Sequence, residues 1–258
     1  MTATAMAAAE RPAAVVPKAP PSDVVSSAKQ KMAPNWALKT VMAATGALLA
    51  LMLVIRLIVN LWFFAGSDHF DAVTQRVHEF LGPYLPPDAW LWIIRIVAIG
   101  LIVLHIGLAI VLVMRAKRGR GPIPAKLHGG MPAWLTKLMP HTGVVIALFA
   151  LFYVLDQIAH VFVPLSFPAS GGAGTISSYA VLSGSLQVPW IAVVYVVGLL
   201  AIAAHVLHGL GTVAAIAAGN GRFAGNVTRI ATIVCGAVFG ALLLANIAIV
   251  LCVVGGWL

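Results

Sequence analysis

Residues 189–218, PWIAVVYVVGLLAIAAHVLHGLGTVAAIAA, run for thirty positions without an Asp, Glu, Lys or Arg. As a helix at about 1.5 Å per residue the stretch is about 45 Å long, more than the roughly 30 Å of hydrocarbon in a bilayer. The rest of the chain matches it: 61% of the 258 residues are hydrophobic and only 9% charged, far from the make-up of a soluble domain. Four further segments are long and apolar enough to cross, roughly 37–64, 90–114, 140–165 and 227–256. The apolar runs are continuous rather than alternating, which favours helices over a barrel. The expected fold is all-α, a five-helix transmembrane bundle over residues 36–258, preceded by a flexible cytoplasmic tail over 1–35 that is rich in Ala, Pro, Ser and Lys. No apolar core of signal-peptide length precedes it.

The net charge of +9 is explained by where the cations lie. Thirteen of the 16 Lys and Arg fall in the tail, at Lys39 just beyond it, between Arg115 and Lys137, or at Arg222 and Arg229; Arg76 alone lies in the opposite loops, and Arg56 and Arg95 lie within helices. The positive-inside rule then puts the N-terminus in the cytoplasm and the C-terminus outside. A basic inner face attracts anionic lipid and suits a docked cytoplasmic partner. Nucleic acid is not indicated. The two cysteines, Cys235 and Cys252, share one helix about 25 Å apart and cannot bond to each other.

Two outer loops differ in character. DHFDAVTQRVHEFLGPYLPPDAW (68–90) spaces Phe70, Val73, Val77, Leu81 and Tyr84 as an amphipathic surface helix with Asp68 near its start, leaving His69 and His78 to solvent. SFPASGGAGTISSYAVLSGSLQVP (166–189) is Gly and Ser rich and reads as irregular. No repeat at a fixed period is visible. Trp90, Trp92, Trp190 and Trp257 fall at helix ends, where interfacial aromatics belong.

Polar side chains inside the membrane are functional candidates by default. Counted from the cytoplasmic ends at about 1.5 Å per residue, His105 lies about 15 Å in, His208 and His205 about 18 and 22 Å, and Cys235 about 10 to 14 Å. Histidine and cysteine are ligands of haem iron and iron-sulfur clusters. A single buried histidine is as readily explained by a hydrogen bond to a carbonyl, and Cys235 by simple packing. A deeper group comprises Tyr153, Asp156 and His160 on the third crossing and Arg56 on the first, with Arg56 and Asp156 expected to pair. That group could orient a carbonyl ligand or serve as helix-to-helix glue. Arg95 is expected to snorkel, and His128 and His141 to meet lipid or a partner.

In order, depth and helix count these residues resemble the single-chain, five-helix cytochrome b membrane anchor of bacterial succinate dehydrogenases and fumarate reductases. The motifs are LIVLHIGLAIV on the second helix, VVYVVGLLAIAAHVLHGL on the fourth and HTGV opening the third. The resemblance implies that His105 and His205 hold the haem nearer the cytoplasm. Members with two haems carry a second His pair on the first and third helices, where this chain has Arg56 and Tyr153, so the second haem is expected to be absent. His208 and Cys235 at similar depth leave a Rieske-like 2Fe-2S cluster open beside haem b, with His105, His205, His208 and Cys235 as the metal set.

The chain has no dinucleotide fingerprint and no phosphate loop. The implied function is therefore that of a subunit which does not itself oxidise succinate. It would pass electrons from a docked iron-sulfur subunit, itself fed by a flavoprotein subunit, to menaquinone or another quinone in the bacterial inner membrane. A higher oligomer of the complex is compatible with this. Arg56, Tyr153, Asp156 and His160 are the favoured quinone-binding set, with Trp36, Lys39 and His141 on the cytoplasmic side as the alternative. A different class, a small transporter or proton channel using His, Asp and Arg as a relay, is the competing reading.

Overall fold

The computed structural model describes residues 33–86, 88–119, 133–162, 177–219 and 224–258. The tail up to residue 32, His128, Arg222 and residues 163–176 of the second outer loop lie outside them. Among the described residues the elements are α1 (Asn35–Asn60), which runs on through a 3₁₀ turn (Leu61–Ala65), then α2 (Ser67–His78), α3 (Ala89–Gly119), α4 (Ala133–Gln157), α5 (Ser178–Leu186), α6 (Pro189–Ala218) and α7 (Ala224–Val254). The fold is an all-α bundle. Five of its helices, α1, α3, α4, α6 and α7, are long and apolar enough to cross a membrane.

Helix α6 is the axis of the bundle. Pro189 opens it with a φ already suited to a first turn, and Gly219 follows its last residue at φ 62°, a left-handed value that glycine takes without strain. Its buried residues Ile191, Ala192, Tyr195, Leu199 and Ile202 recur at helical spacing and form one stripe. The facing stripe of α7 is Phe239, Leu243, Asn246, Val250 and Val253. Helices α4 and α1 pack on other sides of α6. Contact with α4 is closest at Gly198, where a methyl group would stand 2.5 Å from the Phe149 ring. Lipid gives no hydrophobic drive to helix pairing, so such close approach is what holds crossings together. Helix α3 is the exception. It leans on α1, makes little contact with α6, and contains no buried residue.

The end of the bundle that carries α2 and α5 is more elaborate than the sequence suggests. Helix α2 forms where expected but stops at His78; Phe70 and Thr74 are buried, whereas Phe80 and Tyr84 beyond its end are exposed. His69 is exposed and its ring meets the Ala65 carbonyl at 3.1 Å; His78 is exposed and pairs with Asp88 at 2.9 Å. The second outer loop is not irregular throughout, since 178–186 is helix α5. Its first turn is capped by Ser177 Oγ, which accepts from the Ala180 N–H at 3.1 Å and donates to Asp71 on α2. Asp71 also accepts the Tyr179 N–H at 2.9 Å. Phe63 stacks on Tyr179 with centroids 4.2 Å apart, and Phe70 meets Phe63 edge-on at 5.4 Å. Composition reads Gly and Ser as loop formers; a carboxylate supplied from another helix turns these serines into a cap.

Candidate functional site

Two Thr-Gly steps lie in the half of the bundle nearer the start of α1. On α1 the step is Thr45-Gly46; on α4 it is Thr142-Gly143, 97 residues later. Each receives a histidine from the next long helix. Thr45 Oγ1 lies 3.0 Å from His105 Nδ1 on α3, and Thr142 Oγ1 lies 3.2 Å from His205 Nδ1 on α6. Each glycine provides the space: a methyl group would stand 3.1 Å from His105 Cε1 at position 46 and 3.4 Å from His205 Cε1 at position 143. Both threonines are buried.

The direction of these bonds follows from counting protons. A threonine hydroxyl has one. Thr45 Oγ1 donates to the Met42 carbonyl at 3.0 Å, and Thr142 Oγ1 donates to the carbonyls of Met139 at 3.0 Å and Leu138 at 3.2 Å. The hydroxyl oxygens are then acceptors toward the rings, so Nδ1–H of each histidine donates. A neutral imidazole protonated on Nδ1 carries its lone pair on Nε2. Each ring also bonds a backbone carbonyl, His105 that of Met42 and His205 that of Met139, and among the described residues no side chain bonds either Nε2. The two rings meet edge-on, with centroids 6.4 Å apart and planes inclined by 67°, although the helices bearing them hardly touch.

The sequence named four metal candidates, and the structure brings together the first two. His208, one turn along α6 from His205, has its Nδ1 buried without a partner. Cys235 is exposed on α7 beside Gly236, which turns toward Leu207. Among the described residues no three His, Cys, Asp or Glu side chains gather at one point.

The deeper group is rearranged relative to expectation. Asp156 is fully buried and does not pair with Arg56. Its Oδ1 accepts from Ser185 Oγ at 2.7 Å, and its Oδ2 from Tyr195 OH at 2.7 Å and Gln157 Nε2 at 2.8 Å. Neutral donors from α5 and α6 thus replace the expected cation. Arg56 lies over the Tyr153 ring at 5.9 Å, with its Nε buried and without a partner. His160 is exposed beyond the end of α4, in a left-handed conformation at φ 52°. There the helix unwinds: the N–H of Ala159 reaches Val154 O, and that of Val161 reaches Leu155 O. His141 is exposed, and Arg95 stands over the Trp92 ring at 5.0 Å near the outer end of α3.

Sequence reasoning missed Thr45, Gly46, Ser185 and Tyr195. The first two had a signal, the same Thr-Gly pair that drew notice in HTGV. The last two had none, because a lone Ser in a Gly-rich loop and a lone Tyr in an apolar helix have no pattern. A comparison with protein-family models, curated proteins and solved structures finds no match in any of them. The functional reading therefore rests on the site itself.

Proposed function

We propose that this chain is the membrane anchor and electron-transfer subunit of a succinate:quinone oxidoreductase in a bacterial plasma membrane, with haem b held by His105 and His205. The observation that carries this is the spacing of the two rings. A metal–imidazole nitrogen bond is about 2.0 Å and the ring centre lies about 1.2 Å beyond that nitrogen, so two imidazoles on opposite sides of one metal have centres about 6.3 Å apart. The rings here are 6.4 Å apart. Two imidazoles sharing a tetrahedral metal would stand closer, at about 5 Å on the same bond lengths. A Rieske centre also needs two cysteines, and Cys235 is turned away. Donor chemistry and spacing both favour haem over the cluster.

When bound, haem supplies a one-electron carrier between a partner's iron-sulfur centre and a quinone. The chain's own residues do the rest. Thr45 and Thr142 would hold the ring nitrogens and Gly46 and Gly143 admit the rings, between two helices that make little direct contact. On the basic face Arg115 donates to Ala33 O at 2.7 Å and Asn35 Oδ1 at 2.9 Å, which ties the end of α3 to the start of α1. That face suits docking of the iron-sulfur subunit, which in turn receives electrons from the flavoprotein subunit. Of the deeper group, Arg56 and Tyr153 remain available to a quinone headgroup, since the Asp156 carboxylate is already held by three donors.

An iron assay and an optical spectrum on the purified complex test the reading. One haem per chain is expected, with the low-spin spectrum of two nitrogen ligands, lost in His105→Ala and in His205→Ala. A colourless, iron-free anchor that still supports full quinone reduction overturns it.

A further inference from the structure

The same unit occurs twice in this chain. Thr45-Gly46 meets His105, and 97 residues later Thr142-Gly143 meets His205, with sequence separations of 60 and 63 residues between hydroxyl and ring. The surrounding helices repeat as well: TGALLALMLVIR on α1 and TGVVIALFALFY on α4 align position for position, ending in Arg56 and Tyr153. In both copies the hydroxyl has given its proton to its own helix, and in both the glycine leaves room for the Cε1–Nδ1 edge of the ring. A chance hydrogen bond has no reason to recur with its donor, acceptor and neighbouring glycine all preserved.

From this we infer that Thr45 and Thr142 are positioning residues for the metal-binding histidines: each accepts from Nδ1–H, fixes the ring in the tautomer whose lone pair is on Nε2, and sets how strongly that nitrogen donates. The inference rests on the proposed function for the identity of the metal group, but the tautomer belongs to the chain alone. Outer partners of metal-bound histidine act in this way in general, orienting the ring and raising its basicity. A hydroxyl oxygen that accepts from Nδ1–H leaves more electron density on Nε2, which favours the oxidised, more positive metal. Removing the acceptor therefore raises the reduction potential. If the threonines merely filled space no shift is expected, because isosteric valine fills the same volume.

The variants are Thr45→Val and Thr142→Val, with Thr45→Ser and Thr142→Ser as rescue. In the assembled complex each valine variant should keep its haem, raise the midpoint potential by up to about 59 mV, equivalent to a tenfold change in a one-electron equilibrium, and lose haem to an external scavenger 10–100-fold faster, a range typical for loss of such partners. The serine variants should behave as the parent. A second measurement is independent of any cofactor: ¹⁵N spectra of histidine-labelled full chain in lipid should place the proton on Nδ1 of His105 and His205, and Thr45→Val should shift His105 alone toward the other tautomer. Valine variants with parental potential and parental ¹⁵N shifts overturn the inference. An iron-free parent with Nδ1–H at both rings sinks the haem reading while upholding the role of the threonines.

Discussion

Helices α1 and α4 each contribute to two polar places, and the two are built on opposite plans. Near one end of the bundle, Thr45 and Thr142 support histidines whose Nε2 atoms bond no side chain among the described residues. Eleven residues further along the same helices, Arg56 and Tyr153 turn to each other, and beside them Asp156 is enclosed by Ser185, Tyr195 and Gln157. One place ends in an unused lone pair. The other uses its carboxylate's bonding capacity on neighbouring helices. A polar side chain in hydrocarbon is thus not evidence of one kind: the Asp156 carboxylate is satisfied by its neighbours, whereas Arg56 Nε beside it and His208 Nδ1 on α6 are buried without a partner.

The sharpest way to break this comparison is at Asp156. Replacing it with Ala leaves the Ser185 and Tyr195 hydroxyls without their acceptor in a buried site, and the expected loss is about 2–4 kcal/mol of unfolding free energy. Reversible denaturation in bicelles measures it. On the haem proposal, the spectrum should survive in the folded fraction, as it should not in His105→Ala. A variant of full stability that has lost quinone reduction would reverse the assignment and make Asp156 the functional carboxylate. Next in size is Gly198→Ala, whose methyl group meets the Phe149 ring at 2.5 Å; overpacking costs about 1–3 kcal/mol, and a thermal unfolding series should find it recovered by adding Phe149→Leu.

Smaller effects sharpen the picture. Asp71→Ala removes the carboxylate that holds the cap of α5, and about 1 kcal/mol should be lost, with faster amide exchange confined to α5 and the start of α2. If exchange rises across the whole bundle instead, α5 is part of the core rather than an appended cover. Cys235→Ala should change neither iron content nor stability beyond about 0.5 kcal/mol. Iron that disappears with this thiol would restore the cluster reading over haem.

The fold was legible because hydrophobic runs of this length have one stable solution in lipid, and all five crossings follow from counting residues. Facing was not legible. Depth along a helix placed His105, His205, His208 and Cys235 in one layer, but only rotation about the axis decides which of them meet, and α7 turns Cys235 outward. Likewise Arg56 and Asp156 agree in depth and oppose in charge, yet Asp156 is satisfied by Ser185 and Tyr195, residues without charge and therefore without any mark in a charge-based reading. The Thr-Gly repeat was visible as letters. It became meaningful only when each copy was seen against an imidazole.

The slight packing of α3 bears on how the molecule is made. During synthesis α1 and α3 emerge first, and α3 leans on α1 with little else to hold it; α4, α6 and α7, which form the tighter cluster, follow. The half carrying His105 is therefore completed before the half carrying His205 leaves the ribosome. Their meeting docks the α1–α3 pair on the later three crossings through α1, which packs on both α6 and α7, while α3 itself stays at the rim.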